Sequence, residues 1–248
     1  MFTRLLVGLD ESPRADQAFE QALLLAQRFQ ATVIAAYARE SGGPDGAPML
    51  ERARLRALER GVAAEVKLGH GAADVFLAEV ATQSDAVLVG RRGARTGQDA
   101  IGPTVASLIR IAERVVIVCG ATPSPMQAVA IAYDGRETSR RALDLAARFA
   151  SIVGSTIHVI HANPDREAGV GVVGEAEASL SLLRVAFVTH VEKGKPAEVV
   201  ARVIAETKCD ALFAGAHMQR QEGRPSQVTI SHAEEILRHT DIPVAIQP

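Results

Sequence analysis

The segment Gly90-Arg91-Arg92-Gly93-Ala94-Arg95-Thr96-Gly97-Gln98-Asp99-Ala100-Ile101-Gly102-Pro103-Thr104 concentrates glycine, arginine and hydroxyl side chains. Glycine has no Cβ, so its backbone can approach an anion closely. Gly102 directly precedes a helix start at Pro103, where unpaired N–H groups and the helix dipole favour phosphate. Asp10, at the end of an apolar run, offers a carboxylate to a base amine or a ribose hydroxyl. Together these residue types describe a nucleotide site. The alternative is that the glycines make plain turns and Asp10 caps the next helix; spacing alone leaves both open. The arginines divide in the same way, between anion-binding charge and a solvated loop. No G-x-x-x-x-G-K-S/T stretch is present, and no G-x-G-x-x-G follows the first strand, which disfavours NAD or FAD in the usual dinucleotide mode.

Such groups need a frame. Residues 4–10 form an apolar run too short for a helix and read as a buried strand. Asp10-Glu11-Ser12-Pro13 closes it, with Ser12 suited to cap a helix and Pro13 to open it. The pattern then predicts a helix over 14–29, a strand over 32–38 and a charged helix over 47–60. A strand over 62–68, a helix over 72–83, a strand over 85–90, a helix over 103–113 and a strand over 114–119 follow. Short Val/Ile/Leu strands alternating with helices predict a parallel sheet covered on both faces. In a doubly wound sheet, ligands sit beyond the carboxyl ends of the strands, where Asp10 and the glycine-rich loop both fall.

The pattern occurs twice. Leu5-Leu6-Val7-Gly8-Leu9-Asp10 matches Val129-Ala130-Ile131-Ala132-Tyr133-Asp134, 124 positions later. Ala18 and Ala22 fall on Ala142 and Ala146, and 32–38 falls on 156–162, at the same spacing. Asp85-Ala86-Val87-Leu88-Val89-Gly90 matches Asp210-Ala211-Leu212-Phe213-Ala214-Gly215 at a spacing of 125. This is duplication of a whole domain, because a solenoid would repeat every ~20–50 residues. Domains are expected over 1–122 and 126–248, with the join in the turn-rich Gly120-Ala121-Thr122-Pro123-Ser124-Pro125. The charged helix of the second half, about 174–184, is expected to be shorter than its counterpart.

Composition narrows the function classes. The 248 residues carry 27 Lys+Arg against 29 Asp+Glu, a net charge of −2, which argues against a bulk nucleic-acid binder. Two cysteines, Cys119 and Cys209, build neither a disulfide framework nor a four-thiolate metal site. Cys119 is expected to be a buried packing residue. His158, His161, His217, His232 and His239 give no metal-ligand spacing, and no metal site is expected. With no apolar run of about 18 residues and too short an apolar start for a signal peptide, no membrane partner is expected and a cytoplasmic location is the default.

The second half opens Asp134-Gly135-Arg136-Glu137-Thr138-Ser139-Arg140-Arg141-Ala142-Leu143 and closes Ile236-Leu237-Arg238-His239-Thr240-Asp241-Ile242-Pro243-Val244. With the Gly90, Gly93 and Gly102 pattern of the first half, these resemble the universal stress protein family, and the chain looks like two such domains in tandem. The resemblance implies an α/β fold of two doubly wound domains, each a five-stranded parallel sheet of order 3-2-1-4-5 with helices on both faces. It implies ATP, with or without Mg2+, or a related adenine nucleotide in the first domain. By similarity, the amides of Gly90, Gly93 and Gly102 would face the phosphates, Asp10 the adenosine, and Ala38 would pack on adenine. The family pattern has nine residues between its second and third glycines and a Ser or Thr after the third. Here the gap is the eight residues 94–101, and Pro103 replaces the hydroxyl residue. Thr104 is next and could restore the hydroxyl, while Arg91, Arg92 and Arg95 could add charge.

In the second half Gly215 is kept, but Met218 and Ile230 stand where the other two glycines belong. That domain is not expected to hold ATP in the family manner, and Asp134 would remain as a cap or vestige. The resemblance also implies that the halves pair as an intramolecular pseudo-dimer through their fifth strands, with a homodimer as a further possibility. The expected role is a stress-linked regulator or sensor. No base is placed to attack a γ-phosphate and no Walker-type lysine is present, so at most slow hydrolysis is expected. A nucleotide-free interaction or scaffold protein is the alternative.

Overall fold

The structure is a computed structural model that describes residues 1–92, 101–216, 219–220, 228–229 and 231–248. It divides into two compact units, Met1–Pro123 and Ser124–Pro248. The first unit runs β1 (Arg4–Gly8), α1 (Pro13–Phe29), β2 (Thr32–Arg39), α2 (Ala47–Glu59), β3 (Ala64–His70), α3 (Ala73–Ala81), β4 (Ala86–Gly90), α4 (Pro103–Ile111) and β5 (Val115–Cys119). Its strands are parallel in the order β3-β2-β1-β4-β5. β1 is central, with Leu6 beside Ile34 on one side and Val87 on the other. Leu5, Leu6, Val33, Ile34, Val87 and Leu88 are completely buried, as a sheet covered on both faces requires.

Local chemistry sets the ends of these elements. Ser12 Oγ accepts the Ala15 amide at 3.1 Å and Pro13 takes the first turn, so α1 begins where the sequence predicts. The predicted strand over 62–68 begins later, at Ala64, because the Val62 amide still bonds to the Ala57 carbonyl at the end of α2. The start of β1 is pinned by Asp85, whose Oδ2 accepts the Thr3 and Arg4 amides at 2.6 and 2.9 Å. Burial pushes this carboxyl up, but those two amides, the Thr3 hydroxyl and the N-terminal ammonium together outweigh it and hold its pKa below the usual range.

The second unit runs β6 (Ala128–Ala132), α5 (Glu137–Val153), β7 (Thr156–Ala162), α6 (Arg166–Leu182), β8 (Phe187–Glu192), α7 (Pro196–Thr207), β9 (Ala211–Gly215), β10 (Gln219–Arg220), β11 (Val228–Thr229), α8 (Ser231–His239) and β12 (Val244–Gln247). Its main sheet has the order β8-β7-β6-β9-β12, the same third-second-first-fourth-fifth arrangement. The pinning carboxylate is duplicated as well: Asp210 accepts the Gln127 and Ala128 amides at 3.1 and 2.9 Å.

Two features depart from the sequence reading. α6 is not a short helix over 174–184 but spans 17 residues, against 13 for α2. Gly169, Gly171 and Gly174 weaken its helical signal. Asp165 nonetheless caps it by accepting the Glu167 amide at 3.0 Å. Secondly, β10 and β11 form a two-residue antiparallel pair where the sequence suggested only loop.

Candidate functional site

A cavity of about 530 Å³ opens at the carboxyl ends of β1, β2 and β4 in the first unit. Asp10, Ala38, Gly90, Arg92, Gly102, Pro103 and Thr104 all line it, with Leu77 and Val89 among its apolar wall. Arg91 does not line it, and Gly93, also expected at the site, lies outside the described residues.

Each residue has a structural reason for its place. Asp10 Oδ1 accepts the Ser12 amide at 3.1 Å, so this carboxylate holds the β1–α1 turn and also lines the cavity. Ala38 is buried near the end of β2 and gives that wall a flat, small surface. Gly90 ends β4, and a Cβ there would lie 2.7 Å from the carbonyl carbon and oxygen of Arg14. Its lack of a side chain is therefore required by the first turn of α1, irrespective of any ligand.

Gly102 differs from expectation. Its amide, expected to face a phosphate, donates to the Arg91 carbonyl at 3.0 Å. Its φ of −60° and ψ of 143° are open to any residue, so no backbone constraint demands glycine. It serves as the N-cap of α4, and Pro103, which has no N–H, occupies the first turn. The first-turn donors facing the cavity are consequently the amides of Thr104 and Val105, which by position have no carbonyl within the helix to bond.

The arginines separate. Arg91 is 6% exposed and does not line the cavity. Arg92 is half-buried against the cavity, and its Nε is a buried donor without a hydrogen-bond partner among the described residues. Neither behaves as a solvated loop residue.

The corresponding corner of the second unit is built differently. Asp134 Oδ1 accepts the Arg136 amide at 3.0 Å and the Ser139 hydroxyl at 2.7 Å, so it holds the β6–α5 turn, while Arg136 is the N-cap of α5 and has no side-chain capping bond. Leu9 and Tyr37 of the first unit are replaced by Tyr133 and His161, both buried. Burial pushes the Tyr133 phenol pKa up, although its hydrogen bond to Arg140 opposes the shift. Arg140 in turn meets Glu175 of α6 at 2.6 Å. His161 Nδ1 lies 2.8 Å from the Tyr133 carbonyl oxygen. A Cβ on Gly169 would come within 3.2 Å of His161 Cδ2 and 2.6 Å of Val191 Cγ1, so α6 sits directly on the strand ends. Tyr133 is thus larger than the Leu9 it replaces, whereas His161 is no larger than Tyr37, and in each unit a glycine lets the second helix pack on that residue. Met218, Ile230 and His217 lie outside the described residues.

The family model of the universal stress protein family matches residues 1–120 and 172–248. The chain belongs to that family. It is similar in structure to a universal stress protein from Archaeoglobus fulgidus DSM 4304, at 15% identity and a TM-score of 0.77, over 98% of this chain and 97% of that one. A universal stress protein from Pseudomonas aeruginosa UCBPP-PA14 aligns at 15% identity and a TM-score of 0.76, over 99% and 92% of the two chains. A functionally unknown protein from Pseudomonas aeruginosa PAO1 aligns at 15% identity and a TM-score of 0.74, over 99% and 92%. No curated protein matches.

Two features of this universal stress protein escaped the sequence reading. Gly169-Val170-Gly171-Val172-Val173-Gly174 spells a dinucleotide fingerprint, yet it lies inside α6, where the Gly169 amide bonds to the Asp165 carbonyl. A true fingerprint occupies a strand-to-helix turn with open amides, so these letters are not one; Gly169 packs against Val191 and His161, while a Cβ on Gly171 or Gly174 would meet open space. The second feature is a histidine pair: His158 Nδ1 and His190 Nε2 are 3.1 Å apart, with the rings stacked at 5.4 Å. The β7–β8 register, which sets Ile160 beside His190, puts both on one face. Among the described residues, no group of three or more metal-ligating side chains converges and no helix is long and apolar enough to cross a membrane.

Proposed function

We propose that the first domain binds an adenine nucleotide in the cavity at the ends of β1, β2 and β4, and that the protein is a ligand-responsive regulator or sensor in stress rather than a fast enzyme. The observation that carries this reading is the buried Arg92 Nε, which has no hydrogen-bond partner among the described residues and lies on a wall of the cavity that the first turn of α4 also lines. A buried donor left unsatisfied costs roughly 1–3 kcal/mol, which an anionic ligand would recover. Arg92, the Thr104 and Val105 amides and the Thr104 hydroxyl would hold phosphate. Asp10 and Ala38 would meet the nucleoside, and Gly90 and Arg91 support the walls. These donors fit a nucleotide phosphate, and they are all groups of this chain. ATP, with or without Mg2+, is the ligand that family membership suggests. The second domain would not bind at the equivalent place, because Tyr133 stands for Leu9 and Met218 and Ile230 stand for two of the family's glycines.

Equilibrium binding of labelled ATP and its lower phosphates to the full chain, with and without Mg2+, tests the reading. Saturable one-to-one binding that is lost in Arg92→Ala supports it. No binding of any adenine compound would leave the nucleotide-free interaction reading, which is favoured by the Gly102 amide already bonded to Arg91 and by Pro103.

Pairing of the domains through β5 and β12 is a proposal from the sequence. Both strands are apolar, each flanks the fourth strand of its own sheet, and an uncovered apolar edge invites association. An experimental structure with the fifth strands apart would overturn it.

A further inference from the structure

We propose that His158 and His190 form a two-imidazole site for a divalent late transition ion, Cu2+ or Zn2+, which ties the outer strand β8 to β7. The site lies in the second domain and does not rest on the nucleotide reading. The two residues are 32 positions apart, so no short ligand spacing marks them in the sequence. The β7–β8 register brings them to one face of the sheet. His158 Nδ1 and His190 Nε2 are 3.1 Å apart. An imidazole nitrogen stands about 2.0–2.1 Å from such an ion. Nitrogens at this separation would then subtend about 100° at the metal, between the cis angle of a tetragonal ion and the tetrahedral angle. Turning each ring about χ2 aims both lone pairs at one ion in place of each other.

The surroundings suit a cation. Both rings are partly buried, and Val188, beside His158 in the register, is 46% exposed, so ions reach this face from water. Burial lowers the pKa of both histidines from 6.5, which leaves both rings neutral at pH 7, the form that ligates. On binding, the ring that donates between them moves its proton to its other nitrogen, and the metal gives up two waters. Glu192 lies two residues beyond His190 on the same face and is held by Arg202 of α7 at 3.2 Å. Glu192 and Glu206 both place negative charge near His190. Among the described residues no third ligating side chain converges on the pair, so water completes the coordination and the site stays open. The fold does not require these histidines. Ala36 pairs with Lys67 as Ile160 pairs with His190, so the first domain holds Ile34 and Lys67 at the matching places and builds the same sheet with no imidazole.

Calorimetric titration of the full chain with Cu2+ and with Zn2+ near neutral pH, beside the double variant His158→Ile/His190→Lys, tests this. The substitutions are those the first domain already carries at these places. The parent should take up one more equivalent of each ion than the variant, and Cu2+ more tightly than Zn2+. Either substitution alone should weaken that equivalent at least tenfold, the scale on which even the partners of metal ligands act. Electron paramagnetic resonance of the Cu2+ form should show two coupled nitrogens in the parent and one fewer in His190→Lys. Zn2+ should slow amide exchange in Phe187–Glu192 of the parent alone, because the ion binds the paired strands and not the open edge. Equal uptake and affinity in parent and double variant would assign the metal to other groups and overturn the proposal, as would no uptake by the parent. If circular dichroism shows the double variant unfolded, His190→Lys alone decides by the same outcomes.

Discussion

Gly90 lies so close to Arg14 that a Cβ would meet its carbonyl carbon and oxygen at 2.7 Å. Gly215 repeats the relationship with Thr138, at 2.5 and 2.6 Å. The contact is kept in a domain that lacks the other two glycines of the family pattern, so packing of a helix on the fourth strand, not a ligand, demands these glycines. Gly90→Ala and Gly215→Ala should each cost about 1–3 kcal/mol in urea unfolding, because backbone, unlike a side-chain tip, cannot swing aside. Loss of nucleotide binding in Gly90→Ala would therefore need a folding control before it reports on phosphate.

Glu11 has a φ of 61°, and its counterpart Gly135 has 75°. The left-handed region costs a residue with a Cβ roughly 1–2 kcal/mol, and the exposed Glu11–Arg52 pair returns little of that. Glycine gives back part of the gain through its larger unfolded-state entropy. Glu11→Gly should raise stability by about 0.5–1 kcal/mol. Thermal unfolding with unchanged circular dichroism checks this, and an unchanged or lowered midpoint would show that the Arg52 contact matters more than the backbone.

Pro103 removes an N–H from the first turn of α4, beside Arg92. Pro103→Ser would supply one amide and one hydroxyl there. A hydrogen bond to a charged group contributes about 1.5–3 kcal/mol, so nucleotide affinity should rise about tenfold or more. The comparison should be made with adenosine as well, which carries no phosphate and should not respond. Equal gains for adenosine and the phosphorylated ligands would place the phosphate elsewhere.

What the sequence disclosed and what it hid divide on physical grounds. Strand and helix identities were legible because each is written in contiguous residues: Ser12-Pro13 caps α1, and the runs at 32–38 and 156–162 are buried strands. The duplication followed from the same local patterns. Asp10, Ala38, Arg92 and Thr104 could be placed at one cavity because a parallel sheet puts its strand ends together. The Arg91–Gly102 bond was not legible, since it depends on how a loop closes over ten intervening residues. Nor was α6: its three glycines lower helical propensity, and the close fit against His161 and Val191 accounts for Gly169 alone. The His158–His190 contact depends on strand register, which composition does not carry.

That contact makes stability depend on pH. One ring nitrogen must carry a proton and the other must accept it across 3.1 Å, an arrangement lost when both rings are protonated. Burial lowers the pKa of both histidines from 6.5, and the charge of His190 further opposes protonation of His158; Glu192 and Glu206 pull His190 partly back. With the folded values below 6.5, the unfolded chain takes up protons first as pH falls. The contribution is therefore complete above about 6.5 and is lost as pH drops through the folded values. β8 is the outer strand of its domain's sheet, so the loss should appear there first, as faster amide exchange in Phe187–Glu192. The double variant His158→Gln/His190→Gln should keep its stability more evenly between about pH 7 and 5, where the parent declines. Equal slopes for parent and variant in urea unfolding across that range would assign the acid sensitivity to carboxylates such as Asp85, whose lowered pKa places its own loss at more acidic pH.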